Sequence, residues 1–131
     1  MLSVARSFVE AVCQACRLDR SISHALIIVT GEAFSNVVRH AHGNQPGRQI
    51  EIQLQIQSDE VALTFVDQGP PFDLEAVPRL PPGELRIGGR GVYLMRTLMD
   101  ELSCGPCPSG ERGNVLRMVK HCYGSEVREC G

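Results

Sequence analysis

Three polar residues recur at every fourth position in one segment, and their side chains could support acid–base and metal chemistry. Glu32, Asn36 and His40 stand within a helical pattern, so they lie along one face of the expected helix, drifting by about 40° per step. A carboxylate, an amide oxygen and an imidazole offer a base, a ligand for a hard cation and a phosphate contact. An ordinary polar helix edge has the same spacing, and this segment alone favours that simpler interpretation.

A second polar cluster follows a predicted strand. The alternation of Val61, Leu63 and Phe65 continues to Asp67, which therefore points to the same side of the sheet as the core. An inward carboxylate can accept a hydrogen bond from an amino group of a bound base, and Gly69 lets a flat ring approach the backbone. The alternative is a turn that carries a capping aspartate.

A third cluster, Gly88, Gly89, Arg90 and Gly91, opens a predicted helix. Glycines leave backbone N–H groups uncovered, and the N-terminus of a helix favours anions through its dipole and its free donors. The chain has no GxxxxGK[ST] loop, and the dinucleotide fingerprint lacks its third small residue. Alone, the cluster is a weak indication of a phosphate site.

Periodicity predicts the elements that position these clusters. Apolar stripes predict helices over residues 2–18 and 21–42, the second capped by Asp19 or Ser21. Gly31 inside the second helix costs about 1 kcal/mol relative to alanine, so another factor must favour it. The first stripe comprises Ala5, Phe8, Val9, Val12 and Cys16. A third stripe comprises Leu94, Met95, Leu98, Met99 and Leu102. Strands are predicted over 50–57, 61–66, 101–106 and 113–121.

The stretch 69–91 holds five of the eight prolines, at 70, 71, 78, 81 and 82. A connection of this length within a small domain is uncommon and predicts a lid or binding loop. The tail over 122–131 is predicted to be flexible.

Length and composition restrict the class of protein. The chain has 131 residues, 43% hydrophobic and 21% charged, which suits one globular domain over residues 1–131. A formal charge of −2 gives no basic excess for nucleic acid. The longest aliphatic run, 25–29, is short for a membrane span, and no secretory signal is evident, so we expect a cytoplasmic protein. The pairs Cys13/Cys16 and Cys104/Cys107 lie in a helix and in a turn between strands, which disfavours zinc and redox roles.

In this order, the three clusters resemble the ATP-binding motifs of the superfamily of gyrase, histidine-kinase and MutL ATPases. The strand from Gly113 to Met118 looks like the last strand of that family. Within the superfamily the chain is most similar to the anti-sigma-factor serine/threonine kinases, from residue 2 to about 121. It departs from their pattern at Pro71, where glycine is usual, and at Asn114, where threonine is common.

The resemblance implies the α+β Bergerat ATP-binding fold, a two-layer α/β sandwich. A mixed, mostly antiparallel sheet would be covered on one face by three helices, and residues 69–91 would be an ATP lid. Glu32 would be the general base, Asn36 would hold Mg²⁺, and His40 could touch the phosphates. Asp67 would accept from the adenine amino group beside Gly69. The remaining implied nucleotide contacts are Gly88, Gly89, Arg90, Gly91 and Asn114.

The function implied by the resemblance is that of an ATP-dependent protein serine/threonine kinase that is also an anti-sigma factor. Its partners would be a sigma factor and an antagonist protein that it phosphorylates, and it would not contact nucleic acid or a membrane directly. A homodimer is possible, and the oligomeric state is left open. Two alternatives remain: a nucleotide-binding interaction module without catalysis, and the ATPase half of a histidine kinase. A pure binder needs no base, and the histidine-kinase branch usually lacks a glutamate at the position of Glu32.

Overall fold

The structure is a computed structural model that describes residues 2–41, 49–79, 83 and 87–122. Within these ranges, three α-helices and four strands follow one another along the chain, joined by a π-helical turn and a 3₁₀ turn. The elements are α1 (Leu2–Ala15), α2 (Arg20–Asn36), the π-helical turn (Val37–Ala41), β1 (Glu51–Ile56), β2 (Glu60–Asp67), the 3₁₀ turn (Leu74–Ala76), α3 (Ile87–Leu98), β3 (Glu101–Pro106) and β4 (Asn114–His121).

The four strands form one sheet in the order β1-β2-β4-β3. All three described pairings are antiparallel, so the described sheet has no parallel component of the kind expected for a mixed sheet. Leu63 of β2 is paired with Leu54 of β1 and Met118 of β4, and these apolar side chains share the face of the sheet that is packed against the helices. The strand predictions are therefore confirmed in order and almost in their bounds.

The helix α2 is the centre of the helical layer, since it contacts α1, α3 and β2. Its buried residues include Ile22, Leu26, Val29 and Ala33. The stretch Arg20–Arg39 is long and apolar enough to cross a membrane by length and composition alone, but half of it is buried inside the fold. Its apolar face is accounted for by this packing.

The structure shows the surroundings of two sequence features of α2, its N-cap and its internal glycine. Asp19 is the N-cap and accepts a hydrogen bond from the Ser21 backbone N–H at 3.3 Å, so Asp19 holds the capping position. A Cβ at Gly31 would lie 2.5 Å from Nη2 of Arg6, so the missing side chain makes room for an arginine of α1. The Arg6 side chain of α1 thus lies against α2 at the position where Gly31 has no side chain.

The predicted stripe of α1 is wrong at Phe8, which is 42% exposed, and Cys13 is buried instead. The buried positions Ala5, Val9 and Cys13 are four residues apart and form a narrow line along α1. The helix α1 packs on α2 along this line. Since successive helical residues point about 100° apart, Phe8 points away from Val9 and toward solvent.

The bounds of the predicted third helix also need correction, whereas the lid stays a prediction. The segment 69–91 contains the 3₁₀ turn, and α3 already begins at Ile87, so the glycine cluster lies in its first turns. The apolar stripe ends with α3 at Leu98, and Leu102 belongs to β3. Residues 80–82, 84–86 and the tail from 123 lie outside the described residues, as do the lid and tail predictions that concern them.

Candidate functional site

At one end of the sheet, where β2 ends and β4 begins, two buried polar side chains meet. Asp67 and Asn114 are opposite each other in the register, and they are 4% and 5% exposed. Oδ1 of Asp67 accepts hydrogen bonds from the Gly69 backbone N–H at 2.7 Å and from Nδ2 of Asn114 at 3.1 Å. We call Asp67, Gly69 and Asn114 the strand end of the site. The predicted inward orientation of Asp67 is confirmed.

Asn114 also fastens the loop that follows β2. Its Nδ2 donates to the Pro70 carbonyl at 2.8 Å, and its Oδ1 accepts from the Phe72 backbone N–H at 3.0 Å. The preceding Gly113 has φ +146°, and a Cβ there would collide with the Asp67 carbonyl oxygen. Glycine thus permits a close approach of the two strands that places Asn114 against the loop.

The second group of polar residues lies where α2 meets the first turns of α3. A Cβ at Gly91 would lie 3.0 Å from Oε2 of Glu32 and 3.3 Å from Nδ2 of Asn36. Helix packing therefore brings together a glutamate, an asparagine and a glycine that are up to 59 residues apart in the chain. We call Glu32, Asn36 and Gly91 the helix end of the site. Asn36 is 8% exposed, so its amide lies almost entirely within the fold.

One cleft joins the two ends, since Asn36, Asp67 and Asn114 all line it. Its cavity volume is about 60 Å³, and the cleft is open to solvent. The walls are mostly apolar, and they are formed by Val37, Pro70, Pro71, Phe72, Leu74, Val92, Met95, Cys104 and Leu116. An apolar slot with a carboxylate at one end suits a flat heterocycle that carries an amino group.

Sequence reasoning missed most of these walls. Val92 and Met95 are three residues apart on α3, and Cys104 and Leu116 face each other across β3 and β4. Periodicity assigns such residues to the core, and it carries no sign that the core opens into a cleft at this place. Burial raises the pKa of Cys104 to about 11, and the negative charge of Asp67 adds to the effect. The thiol is therefore neutral near pH 7 and behaves as part of the apolar wall.

The remaining predicted site residues lie at or near the helix end. Gly88, Gly89 and Arg90 occupy the first turns of α3, immediately before Gly91, and Arg90 is exposed. His40 lies in the π-helical turn after Asn36, where bonding from i to i+5 changes the rotation per residue, so spacing from Asn36 no longer fixes its direction. The side chain of His40 is outside the described part of the structure.

The helix end has donors and acceptors suited to a phosphate group and its magnesium ion. The Asn36 amide oxygen is a hard ligand in a buried place, and the absent side chain at Gly91 clears a space beside it. The first turn of α3 adds backbone N–H groups that have no partner within the helix. The residues present therefore fit a nucleotide whose phosphates point toward α3.

Comparison with known proteins gives matches over almost the whole chain. The family of histidine kinase-like ATPase domains matches residues 1–120. A relative named serine-protein kinase RsbW, from Oceanobacillus iheyensis, is 28% identical over 96% of this chain and 82% of its own length. The protein of the same name from Staphylococcus epidermidis is 33% identical over 79% of this chain and 69% of its own length.

A solved structure shows the same fold. The mycobacterial sensor histidine kinase MprB superposes with a TM-score of 0.57 over 82% of this chain and 73% of the matched chain. Its sequence is 17% identical, so this likeness concerns the fold alone. The two-layer arrangement and the sequence matches agree with each other and with the motifs at the two ends of the cleft.

Proposed function

Since the chain belongs to the family of histidine kinase-like ATPase domains and is related to the serine-protein kinases called RsbW, we propose that it is a protein kinase. It transfers the γ-phosphoryl group of ATP to a serine or threonine of an antagonist protein. It also binds a sigma factor, which is released or held according to the state of the antagonist. Because ATP and these partners are cytoplasmic, we infer that the protein acts in the cytoplasm.

The observation that carries the proposal is the continuity of the site. One cleft runs from Asp67 to Asn36, and Gly91 lies against both Asn36 and Glu32. A carboxylate that can hold a base, an amide that can hold a cation and a carboxylate that can take a proton thus lie in this order. Phosphoryl transfer depends mainly on positioning and on charge stabilisation, and this arrangement supplies both.

At the strand end, the chain binds the adenine ring. Oδ1 of Asp67 is already held by Gly69 and Asn114, so Oδ2 is the oxygen that these bonds leave for the adenine amino group. The apolar side chains of Val92, Met95 and Leu116 pack on the ring and exclude water. Gly69 keeps the approach to the carboxylate open.

At the helix end, the chain positions the phosphates and the attacking hydroxyl. Mg²⁺, held by the amide oxygen of Asn36, would neutralise charge on the transferred group. The backbone N–H groups in the first turn of α3 hold the phosphate oxygens beside the space that Gly91 leaves, and Arg90 adds positive charge. Glu32 accepts the proton of the serine or threonine hydroxyl as its oxygen attacks phosphorus.

The test measures phosphate transfer from ATP to candidate antagonist proteins, together with ADP affinity by calorimetry. We expect ADP to bind in the micromolar range, about −8 kcal/mol. Glu32→Gln should lower the transfer rate at least 100-fold and leave ADP affinity within about 3-fold, because the base acts on the hydroxyl and not on the nucleotide. Glu111→Gln, in an exposed turn, is the matched control.

Three outcomes would contradict the proposal in different ways. Transfer that survives in Glu32→Gln removes this residue from the mechanism. Nucleotide binding without transfer by the wild type leaves an interaction module. Failure of the wild type to bind ADP removes the nucleotide site itself.

A further inference from the structure

Arg96 projects from α3 onto a loop, and its guanidinium group hydrogen-bonds three backbone carbonyl groups there. Nη2 donates to the carbonyl of Leu74 at 2.9 Å, while Nη1 donates to those of Val77 at 3.1 Å and Pro78 at 3.5 Å. A charged donor strengthens each bond, and the planar fork of arginine fixes direction as well as distance. The side chain therefore fastens the loop of residues 74–78 to α3.

This loop and α3 form facing walls of the cleft. Leu74 lines the cleft from the loop, and Met95, the residue before Arg96, lines it from α3. Successive helical residues point about 100° apart, so α3 directs Met95 into the cleft and Arg96 onto the loop. The carbonyl that receives the shortest of the three bonds belongs to Leu74, which is the wall residue itself.

The same helix carries the glycine of the helix end. Gly91 lies against Glu32 and Asn36, five residues before Arg96 and little more than one helical turn away. A single α-helix thus connects the contact with α2 to the anchor of the loop. The separation between the loop wall and the helix end is set through α3 and the Arg96 bonds.

We propose that Arg96 is a positioning residue for nucleotide binding, which fixes the width of the adenine slot by fastening the Leu74–Pro78 backbone to α3. This inference rests on the proposed function, because the slot matters only if a nucleotide occupies it. Arg96 contacts the loop backbone and does not line the cleft. Its removal is therefore expected to change affinity and leave the chemical step unaffected.

The experiment compares Arg96→Met, which keeps the length and loses every donor, with Arg96→Lys, which keeps one donor group. Arg79→Met is the matched control, because Arg79 pairs with Glu75 on the same loop, at a side chain that is 67% exposed. The measurements are ADP affinity, the transfer rate at saturating ATP, and hydrogen exchange of the Ala76 and Val77 amides, which bond within the 3₁₀ turn.

We expect Arg96→Met to bind ADP about 10-fold more weakly and to exchange the two turn amides faster, with an unchanged transfer rate at saturation. The ADP affinity and amide exchange rates of Arg96→Lys should lie between those of the wild type and Arg96→Met. If Arg96→Met does not fold, Arg96→Lys is the variant that tests the inference. Unchanged ADP affinity in Arg96→Met or Arg96→Lys, with or without faster exchange, would overturn the inference. A wild type that binds no ADP instead contradicts the proposed function, and the exchange data then still report whether Arg96 fastens the loop.

Discussion

The two ends of the cleft are built in different ways. At the strand end, the polar groups are bound to one another: Asp67 accepts two hydrogen bonds, and Asn114 makes three with the carboxylate and the loop. At the helix end, the decisive feature is a space, since Gly91 leaves room beside Glu32 and Asn36. One end is fixed by bonds within the protein, and the other is kept clear by a missing side chain.

This difference assigns a different task to each end. A carboxylate whose first oxygen is held by two donors is oriented before any ligand arrives, so the strand end can discriminate between nucleobases at little reorganisation cost. Under the proposed function, the helix end admits phosphates and a metal ion, whose strong interactions with each other help to order them. We therefore expect substitutions at the strand end to change affinity most, and substitutions at the helix end to change the response to Mg²⁺.

The largest effect is expected from Asp67→Asn. The amide oxygen can accept the same bonds from Gly69 and Asn114, which turns the amide NH₂ group toward the cleft. A donor then faces the adenine amino group, itself a donor. We expect ADP affinity to fall about 100-fold, which is about 2.7 kcal/mol, in calorimetry. The free energy of unfolding should change by less than about 1 kcal/mol, because the loop bonds persist.

Asp59→Asn, in an exposed turn, controls for the loss of one charge. If Asp67→Asn bound ADP as tightly as this control, the strand end would not read the base. If it unfolded instead, the carboxylate would serve the fold, and the contrast between the two ends would concern stability alone.

A smaller effect is expected from Asn36→Ala at the helix end. The variant loses the amide oxygen that we assign to Mg²⁺, and the adenine slot at the other end of the cleft is unaltered. ATP should bind about 10-fold more weakly in the presence of Mg²⁺, and the metal should no longer strengthen ATP binding. Calorimetry of ATP binding with and without Mg²⁺ measures both quantities.

Ser35→Ala, the neighbouring half-buried position on α2, is the control. ATP binding by Asn36→Ala that Mg²⁺ still strengthens would transfer the metal to another ligand. A large loss of ADP affinity without metal would instead show that Asn36 supports the slot, and the two ends would not be separable.

The sequence could predict the parts of this site that follow from local periodicity. The alternation in β2 continues to Asp67, so its inward direction was available before the structure, and the glycines before the third apolar stripe marked the start of α3. Four-residue spacing also placed Glu32 and Asn36 on one face of α2. Each of these predictions concerns a repeat along one element.

Contacts between distant segments could not be predicted in this way. The bond from Asn114 to the Phe72 N–H joins residues 42 apart, and the bond from Arg96 to Leu74 joins residues 22 apart. In each bond the loop contributes a backbone carbonyl or N–H group. The sequence does not distinguish one such group from another, so it cannot indicate which of them a distant side chain will contact. The exposure of Phe8 had a similar cause, since the line of contact between α1 and α2 decides which side of α1 is buried.

The smallest effect is expected from the thiol of Cys104, and it tests whether the strand end is preformed. Burial raises the pKa of this thiol to about 11 from an ordinary 9.0, with the charge of Asp67 contributing. An acid whose pKa is higher in the folded state stabilises the fold below its unfolded pKa. That contribution is lost as pH rises from about 9 to 11, because the unfolded chain ionises first.

Because solvent screens this half-buried thiol in part, wild type should lose about 1 kcal/mol of stability over this pH range relative to Cys104→Ala, as measured by denaturant unfolding at each pH. Ser103→Ala, a neighbouring substitution in β3 that removes no thiol, should follow the wild type. In the Asp67→Asn background the loss should become slightly smaller, because the carboxylate charge is gone and burial, the larger cause, remains. An identical pH dependence with and without Asp67 would mean that its charge does not act on the thiol in the free protein, which would count against a strand end that is formed before a ligand binds.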